Sequence, residues 1–311
     1  MSHQILSVNG QPPLVIDDHN FRDFVPDGDG VVHTNHGDEF CGLRDPIEPQ
    51  DFQCVMRVMD WQNSGLVEYD DQELAERLED MWAAEASIMH RVYHTDSLRQ
   101  TRGTCWIHGT IQAGMMLLEM AGLPYRTLSP ASVAYHCYRN FGVNGGYPSL
   151  GVQKFQEQGA STIRTWPENG FANRYNTGES RAERIHNWLE EIVLVGSGEQ
   201  ALRRLLSAHC QGKPGGASFR WWRHYVASTH GRWNGRELQL GIRNSWGNNG
   251  YGDKGFGLLA GNRRLPQWGC VFMRMRQSPE TAGEIGPQRQ PHSLPQIQAE
   301  ARSAQREMRG M

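Results

Sequence analysis

Apolar residues at Leu74, Leu78, Met81, Trp82, Ala86, Met89 and Val92 recur at the spacing of one helix face, with most of the nearby acids on the other. Asp70 and Asp71 stand ahead of them as N-caps, so the pattern predicts one helix over about 72–93. A second stripe of Ile107, Ile111, Met115 and Leu118 begins at Cys105 and is stopped by Gly122 and Pro124. Ser129-Pro130 caps and opens another helix to about residue 139. A glycine-rich turn at 142–146 leads to a helix near 149–158 that Gly159 ends, and helical patterns follow near 181–194 and 199–208. Beyond Gly212 the texture is that of strands: ASFRWWRHYVAST, RELQLGIRNSW, GFGLLA and CVFMRM, separated by turns containing Gly and Asn. Helices followed by strands predict an α+β architecture. The first 65 residues show little periodicity and read as irregular structure with short strands. Residues 276–311 lack aromatics and carry four prolines between 279 and 295, the texture of a polar, flexible tail with room for one short helix at its end.

Composition narrows the classes. A chain of 311 residues, 38% apolar and 21% charged, can build a sizeable core and is not globally disordered. No apolar run is long enough for a membrane-spanning helix, so no membrane partner is expected. The N-terminus lacks the basic start and apolar run of a signal peptide, which points to a cytoplasmic setting, with a virion-associated one as the alternative. Six cysteines at 41, 54, 105, 137, 210 and 270 include no CxxC pair, which argues against a disulfide scaffold or a zinc ribbon. His33, His36, His90, His94 and His136 form no metal set, and PDGDG at 26–30 lacks the spacing of an EF-hand, so neither metal nor organic cofactor is expected. Charge is divided unevenly: residues 1–96 carry a net −15 and residues 97–311 a net +12. That asymmetry fits a nucleic-acid surface, two parts of one chain attracting each other, or ordinary variation of a solvated surface. Trp221 and Trp222 beside Arg220 and Arg223 can stack bases, but a strand entering the core explains them more simply. Nucleic acid is therefore not the expected partner.

One cysteine stands apart. Cys105 lies at a predicted helix start, where unpaired amides and the helix dipole favour a thiolate. A nucleophilic thiol needs a base, often oriented by a third group, and the strand-rich half supplies His224 and Asn244, with His230 as the fallback base. His108, three residues after Cys105, shares its helix and reads as structural.

These fragments resemble the papain family of cysteine peptidases. RGTCW at 102–106 is similar to the family's nucleophile motif. GVNGGYP at 142–148 resembles its substrate-cleft loop, and NSWG at 244–247 with GYGDKGF at 250–256 resembles its asparagine motif and glycine-rich turn. They occur in family order and cover roughly residues 97–275. The resemblance implies Cys105 as nucleophile, His224 as general base and acid, and Asn244 as the acceptor that fixes the imidazole tautomer, with Trp246 shielding that bond. It implies Gln100 as side-chain donor to the oxyanion, beside the backbone N–H of Cys105. Gly145 and Gly146 would bind an extended peptide through their backbones, and Tyr147 and Pro148 would line the pocket for the second residue before the scissile bond. Two spacings depart from the family. Gln100 precedes Cys105 by five residues where six is usual, and His224 follows it by 119, short of the usual range. A cysteine pair common in the family is replaced by Arg102 and Val143, as a reducing compartment allows. Cys210 and Cys270 match a second family bridge in position, with free buried thiols as the expected state.

The resemblance implies a two-lobed papain-like α+β fold, with a helical lobe over about 97–195 and an antiparallel, β-barrel-like lobe over about 196–275. An acidic region over 1–96 would precede this catalytic domain (97–275), either as a pro-segment or docked on the basic half, and the polar tail (276–311) would follow. The implied activity is hydrolysis of peptide bonds in a peptide or protein substrate through a Cys-His-Asn acyl-enzyme. The alternatives are a papain-like fold kept as a structural or interaction module of a larger bacterial or viral assembly, and an amidase or acyltransferase with the same triad.

Overall fold

The computed structural model of the chain describes residues 14–34, 37–43, 57–135, 137, 145–250 and 252–277. Its frame is one open sheet of eight strands. In chain order they are β1 (Leu14–Ile16), β4 (Val58–Met59), β5 (Asn187–Gly196), β6 (Gly215–Phe219), β7 (His224–Trp233), β8 (Leu238–Arg243), β9 (Phe256–Leu259) and β10 (Trp268–Gln277). Their spatial order is β1-β9-β8-β7-β6-β10-β5-β4. The inner pairs are antiparallel, while the outermost pairs, β1 with β9 and β4 with β5, are parallel. The barrel-like lobe expected from sequence is therefore not seen: the sheet stays open. Both of its edges come from residues before 60, so the boundary expected at residue 96 does not coincide with a break in the sheet. A separate hairpin, β2 (Val31–Thr34) with β3 (Gly37–Phe40), completes the strands.

The sheet buries both faces, and strand residues alternate between two cores. Ile192, Tyr225, Ala227, Cys270 and Phe272 face one core, while Val193, Val226 and Val271 face the other. In the first core lies α3 (Cys105–Met120), whose residues Cys105 to Leu118 are all buried, as befits a central helix rather than a surface one. Gly109 permits its close approach to the sheet, since a Cβ there would lie 2.8 Å from the Tyr225 ring. Around α3 pack α2 (Ile88–Val92), α4 (Pro130–Ala134) and α5 (Pro148–Gln158). The second core is covered by α1 (Asp71–Ala83) and α7 (Gly198–Cys210). Ion pairs Arg203–Asp71, Arg204–Glu68 and Arg263–Asp18 join the acidic N-terminal residues to the basic remainder.

Two predicted helices need correction. The pattern over 72–93 is two helices, because the chain turns after Ala83 through Glu85 at φ +50° and restarts where the Ser87 side chain accepts from the His90 amide. The pattern over 181–194 divides into α6 (Gly178–Arg184) and strand β5. The run Ile192-Val193-Leu194-Val195 is a strand signal inside that range, three of its four residues being β-branched. The strand expected across ASFRWWRHYVAST is broken by a 3-10 turn at Arg220–Trp222. The predicted helices over 149–158 and 199–208 are α5 and α7, and Gly159 ends α5 at φ +68°. PDGDG forms a turn in which Asp27 accepts from the amides of Asp29 and Val31. The helix predicted to reach 139 is described only to Ala134, and residues 142–144 and 278–311 lie outside the described residues.

Candidate active site

Cys105 is the first residue of α3, fully buried, at the end of the helix that faces β7. Backbone N–H groups of Tyr225, Gly42 and Trp106 and its own amide surround the sulfur and favour a thiolate. Burial outweighs them and pushes the thiol up to about 11. The thiolate expected from the helix start is therefore suppressed while the site is covered.

His224 begins β7 directly after Arg223, which adopts the left-handed conformation at φ +47°. Its Nε2 lies 2.7 Å from Asn244 Oδ1 at the end of β8. Asn244 Oδ1 also accepts from the Ser245 amide at 2.8 Å, which orients the carboxamide. His224 Nδ1 is buried with no hydrogen-bond partner among the described residues. Trp222 and Trp246 flank the imidazole, with ring centroids at 4.9 and 5.1 Å. Burial pushes His224 down to about 4 against the opposing bond from Asn244, so the ring is neutral. Cys105 and His224 are thus both held in their uncharged forms.

Gln100 reaches the same place. Its backbone N–H donates to the Ser245 carbonyl (2.8 Å), and Ser245 Oγ donates to its Oε1 at 2.5 Å. That bond turns Nε2 toward the Phe40 carbonyl (2.5 Å) and the Arg102 carbonyl (3.1 Å). Ser245 is a residue the sequence reading passed over. It bridges two of the singled-out side chains, and its place inside NSWG was the available signal. His230, the fallback base, lies elsewhere in the core, its Nδ1 2.6 Å from Thr229 Oγ1 and its ring beside Trp82. His108 Nδ1 bonds the carbonyl of Thr104, the residue before α3, and the ring is pushed down to about 4 by burial. Cys210 and Cys270 are free thiols. Among the described residues no group of His, Cys, Asp and Glu is placed to hold a metal, and no helix is long and apolar enough to cross a membrane.

The segment Phe40–Leu43 lies across this cluster. The Phe40 carbonyl accepts from Gln100 Nε2 and, at 3.2 Å, from Trp246 Nε1. The Gly42 carbonyl accepts from the Gly146 amide at 2.8 Å, and Leu43 pairs with Gly146 in a parallel bridge. The Leu43 amide donates to the Arg223 carbonyl at 3.0 Å. Gly145, at φ +91°, donates to the Gly103 carbonyl at 2.8 Å. Tyr147 precedes α5 and is half-buried, and Pro148 is its buried first residue. The strap thus joins the Gln100–Trp246 end of the cluster to the Gly146 end. It turns the Gly42 backbone N–H toward the Cys105 sulfur. Gly42 is required by packing: a Cβ there would sit 2.0 Å from the Gly103 carbonyl oxygen.

No family model and no curated protein matches the chain. Solved structures do. Digestive procathepsin L 3 of the Tenebrio molitor larval midgut aligns over 70% of this chain and 73% of its own, at 14% identity and a TM-score of 0.50. A structure from work on the mite allergens Blo t 1 and Der p 1 aligns over 72% of this chain and 77% of its own, also at 14% identity and a TM-score of 0.50. The fold they share with this chain is that of the papain-like cysteine proteases.

Proposed function

We propose that the protein is a cysteine peptidase that hydrolyses peptide bonds through an acyl-enzyme, and that the strap Phe40–Leu43 holds it latent. The observation that carries this reading is the His224 Nε2 to Asn244 Oδ1 bond of 2.7 Å, with no partner for Nδ1 among the described residues, one residue before Tyr225, whose backbone N–H faces the Cys105 sulfur. With the strap gone, water and substrate would reach Cys105 and His224, and the desolvation that keeps both neutral would fall away. The thiol would then transfer its proton to His224 Nδ1, and Asn244 would hold the imidazolium through Nε2. The thiolate would attack the substrate carbonyl while the Cys105 amide and Gln100 Nε2, released from the Phe40 carbonyl, stabilise the oxyanion. His224 would return its proton to the leaving amine, and water would then release the acyl group from sulfur. Gly146, freed from Gly42, would pair with the substrate backbone, and Tyr147 and Pro148 would border the adjoining pocket. The acyl acceptor is the open part of this reading, since the same triad serves an amidase or acyltransferase.

Complete cover of Cys105 equally supports a catalytically silent module of a larger assembly. An epoxysuccinyl probe followed by peptide mass spectrometry separates the two. Gly42→Ala, which drives the strap from Gly103, is expected to take one adduct on Cys105, and Cys105→Ala and His224→Ala in that background none. No adduct in the Gly42→Ala protein would favour the module. Because β1 and β4 belong to the sheet, the test uses the full chain and not a truncation.

A further inference from the structure

Glu39 sits immediately before the strap and is an unusual residue to bury. Its side chain is 1% exposed, Oε2 has no hydrogen-bond partner among the described residues, and Oε1 lies 3.5 Å from Arg99 Nη2. Arg99 is more than half exposed and meets only one of the two oxygens, at the long end of a hydrogen bond. A carboxylate in that position is desolvated without adequate compensation, whereas a carboxylic acid is tolerated. Its neighbour Phe40 supplies the carbonyl that occupies Gln100, so the site of Glu39 and the cover of the cleft are adjoining peptide units.

We propose that Glu39 is the ionisable latch of the strap: protonated, it lets Phe40–Leu43 dock across Cys105, and on ionisation it expels the strap and opens the cleft. Only the consequence for catalysis rests on the peptidase reading; the movement itself does not.

The groups around Glu39 set the direction. Arg99 opposes expulsion, and Asp38 on the same strand adds to it. Asp38 is partly occupied by His33 of β2, at 2.8 Å, and Glu168 engages the Arg99 backbone amide rather than its guanidinium. The Cys41 thiol is the other titratable neighbour, and burial keeps it protonated. Desolvation dominates, raising Glu39 from 4.5 to about 7 in the docked state. Docking therefore takes up a proton. The docked strap is fully stable below about 4.5, loses stability as pH rises to about 7, and changes little from this group above that.

Hydrogen exchange of the full-length protein, read by mass spectrometry on peptides holding the Leu43 and Gly146 amides, tests this. After correction for intrinsic rates, protection in the wild-type chain is expected to fall by up to about tenfold per pH unit between about 4.5 and 7, then to level. Glu39→Gln, which cannot ionise and keeps His33 and Asp38 in place, is expected to hold its protection across that window. Arg99→Gln removes the opposing cation and should move the upper end of the window to higher pH. Flat protection in the wild-type chain, or the same fall in Glu39→Gln, would overturn the latch, as would an Arg99→Gln window that stays put or moves down. A strap that opens with pH over a Cys105 that still takes no epoxysuccinyl label would leave the latch standing and remove the peptidase reading instead.

Discussion

His224 and His230 lie on the same strand, are both buried, and are both driven toward the neutral form by desolvation. What differs is the nature of the cover. His230 is enclosed by Trp82, Phe256 and Thr229, with His209 and His90 close by, and that enclosure is the hydrophobic core itself. His224 is flanked by Trp222 and Trp246, and the strap that closes its surroundings is held by a few hydrogen bonds through its backbone and by two buried side chains, Cys41 and Leu43. One of its ring nitrogens is committed to Asn244, and the other has no partner among the described residues. A depressed imidazole pKa thus does not mark a catalytic histidine. The role proposed for His224 rests instead on its unspent nitrogen and on the cover above it.

The sharpest way to break the comparison is to exchange the fates of the two rings. In a Gly42→Ala background, His224→Ala is expected to lower peptide hydrolysis by about 10²–10⁴-fold, the usual worth of a positioned general base. His230→Ala is expected to keep the kcat of its folded fraction while losing about 2–4 kcal/mol of stability, through the cavity and the stranded Thr229 hydroxyl. Steady-state rates together with denaturant midpoints separate the two. Equal losses of rate would erase the distinction.

The removable cover can be tested with Gly42→Ala alone. The new Cβ would overlap the Gly103 carbonyl, and both partners are backbone atoms, so relief comes most readily by moving the strap. Overpacking of this kind costs about 1–3 kcal/mol, enough to raise the rate of Cys105 labelling by roughly fivefold to a hundredfold at fixed pH. An unchanged labelling rate would mean that the strap is as fixed as the core around His230.

The fixed cover should show itself in acid. His209 is pushed down to about 3 and His230 well below its ordinary value, so both bind protons more readily when unfolded than when folded. Their contribution to stability is complete above about 6.5 and is lost as pH falls toward 3. Each histidine contributes a slope of up to about 1.4 kcal/mol per pH unit. Denaturant titrations of the wild-type chain and His209→Leu over that range are expected to differ by one such slope. Parallel curves would show that His209 is not the group being charged.

The order of motifs made much of the site legible in advance. Cys105, His224 and Asn244 were singled out from RGTCW, RHYVAS and NSWG, and in the fold Asn244 accepts from His224 while the Tyr225 amide reaches Cys105. Their roles in a reaction remain the proposal made above. The α3 stripe was equally plain, because a helix buried all round leaves a continuous apolar record. The strap was not legible. Phe40–Leu43 is too short for periodicity, its hydrogen bonds run through backbone groups that any residue possesses, and their partners lie 60 to 206 residues away. Glu39 was equally hidden, since nothing in a sequence separates a buried carboxyl from a solvated one. The split of 72–93 turned on a single left-handed residue, Glu85, which the apolar stripe ran straight across.

Ser245 offers the finest cut between what holds the site and what reacts in it. Its hydroxyl donates to Gln100 Oε1 at 2.5 Å and its amide to Asn244 Oδ1 at 2.8 Å, so one residue orients two carboxamides. Only the first bond depends on the side chain. Ser245→Ala would leave Asn244 and His224 aligned while freeing the Gln100 amide to turn its oxygen toward the oxyanion position. Loss of one hydrogen bond of about 1 kcal/mol corresponds to a fall of roughly fivefold in kcat. KM and the pH profile, which report binding and the Cys105–His224 pair, should not move, and Ser245→Thr should restore the rate by keeping the hydroxyl. A shifted pH profile instead would place Ser245 with the imidazole rather than with Gln100.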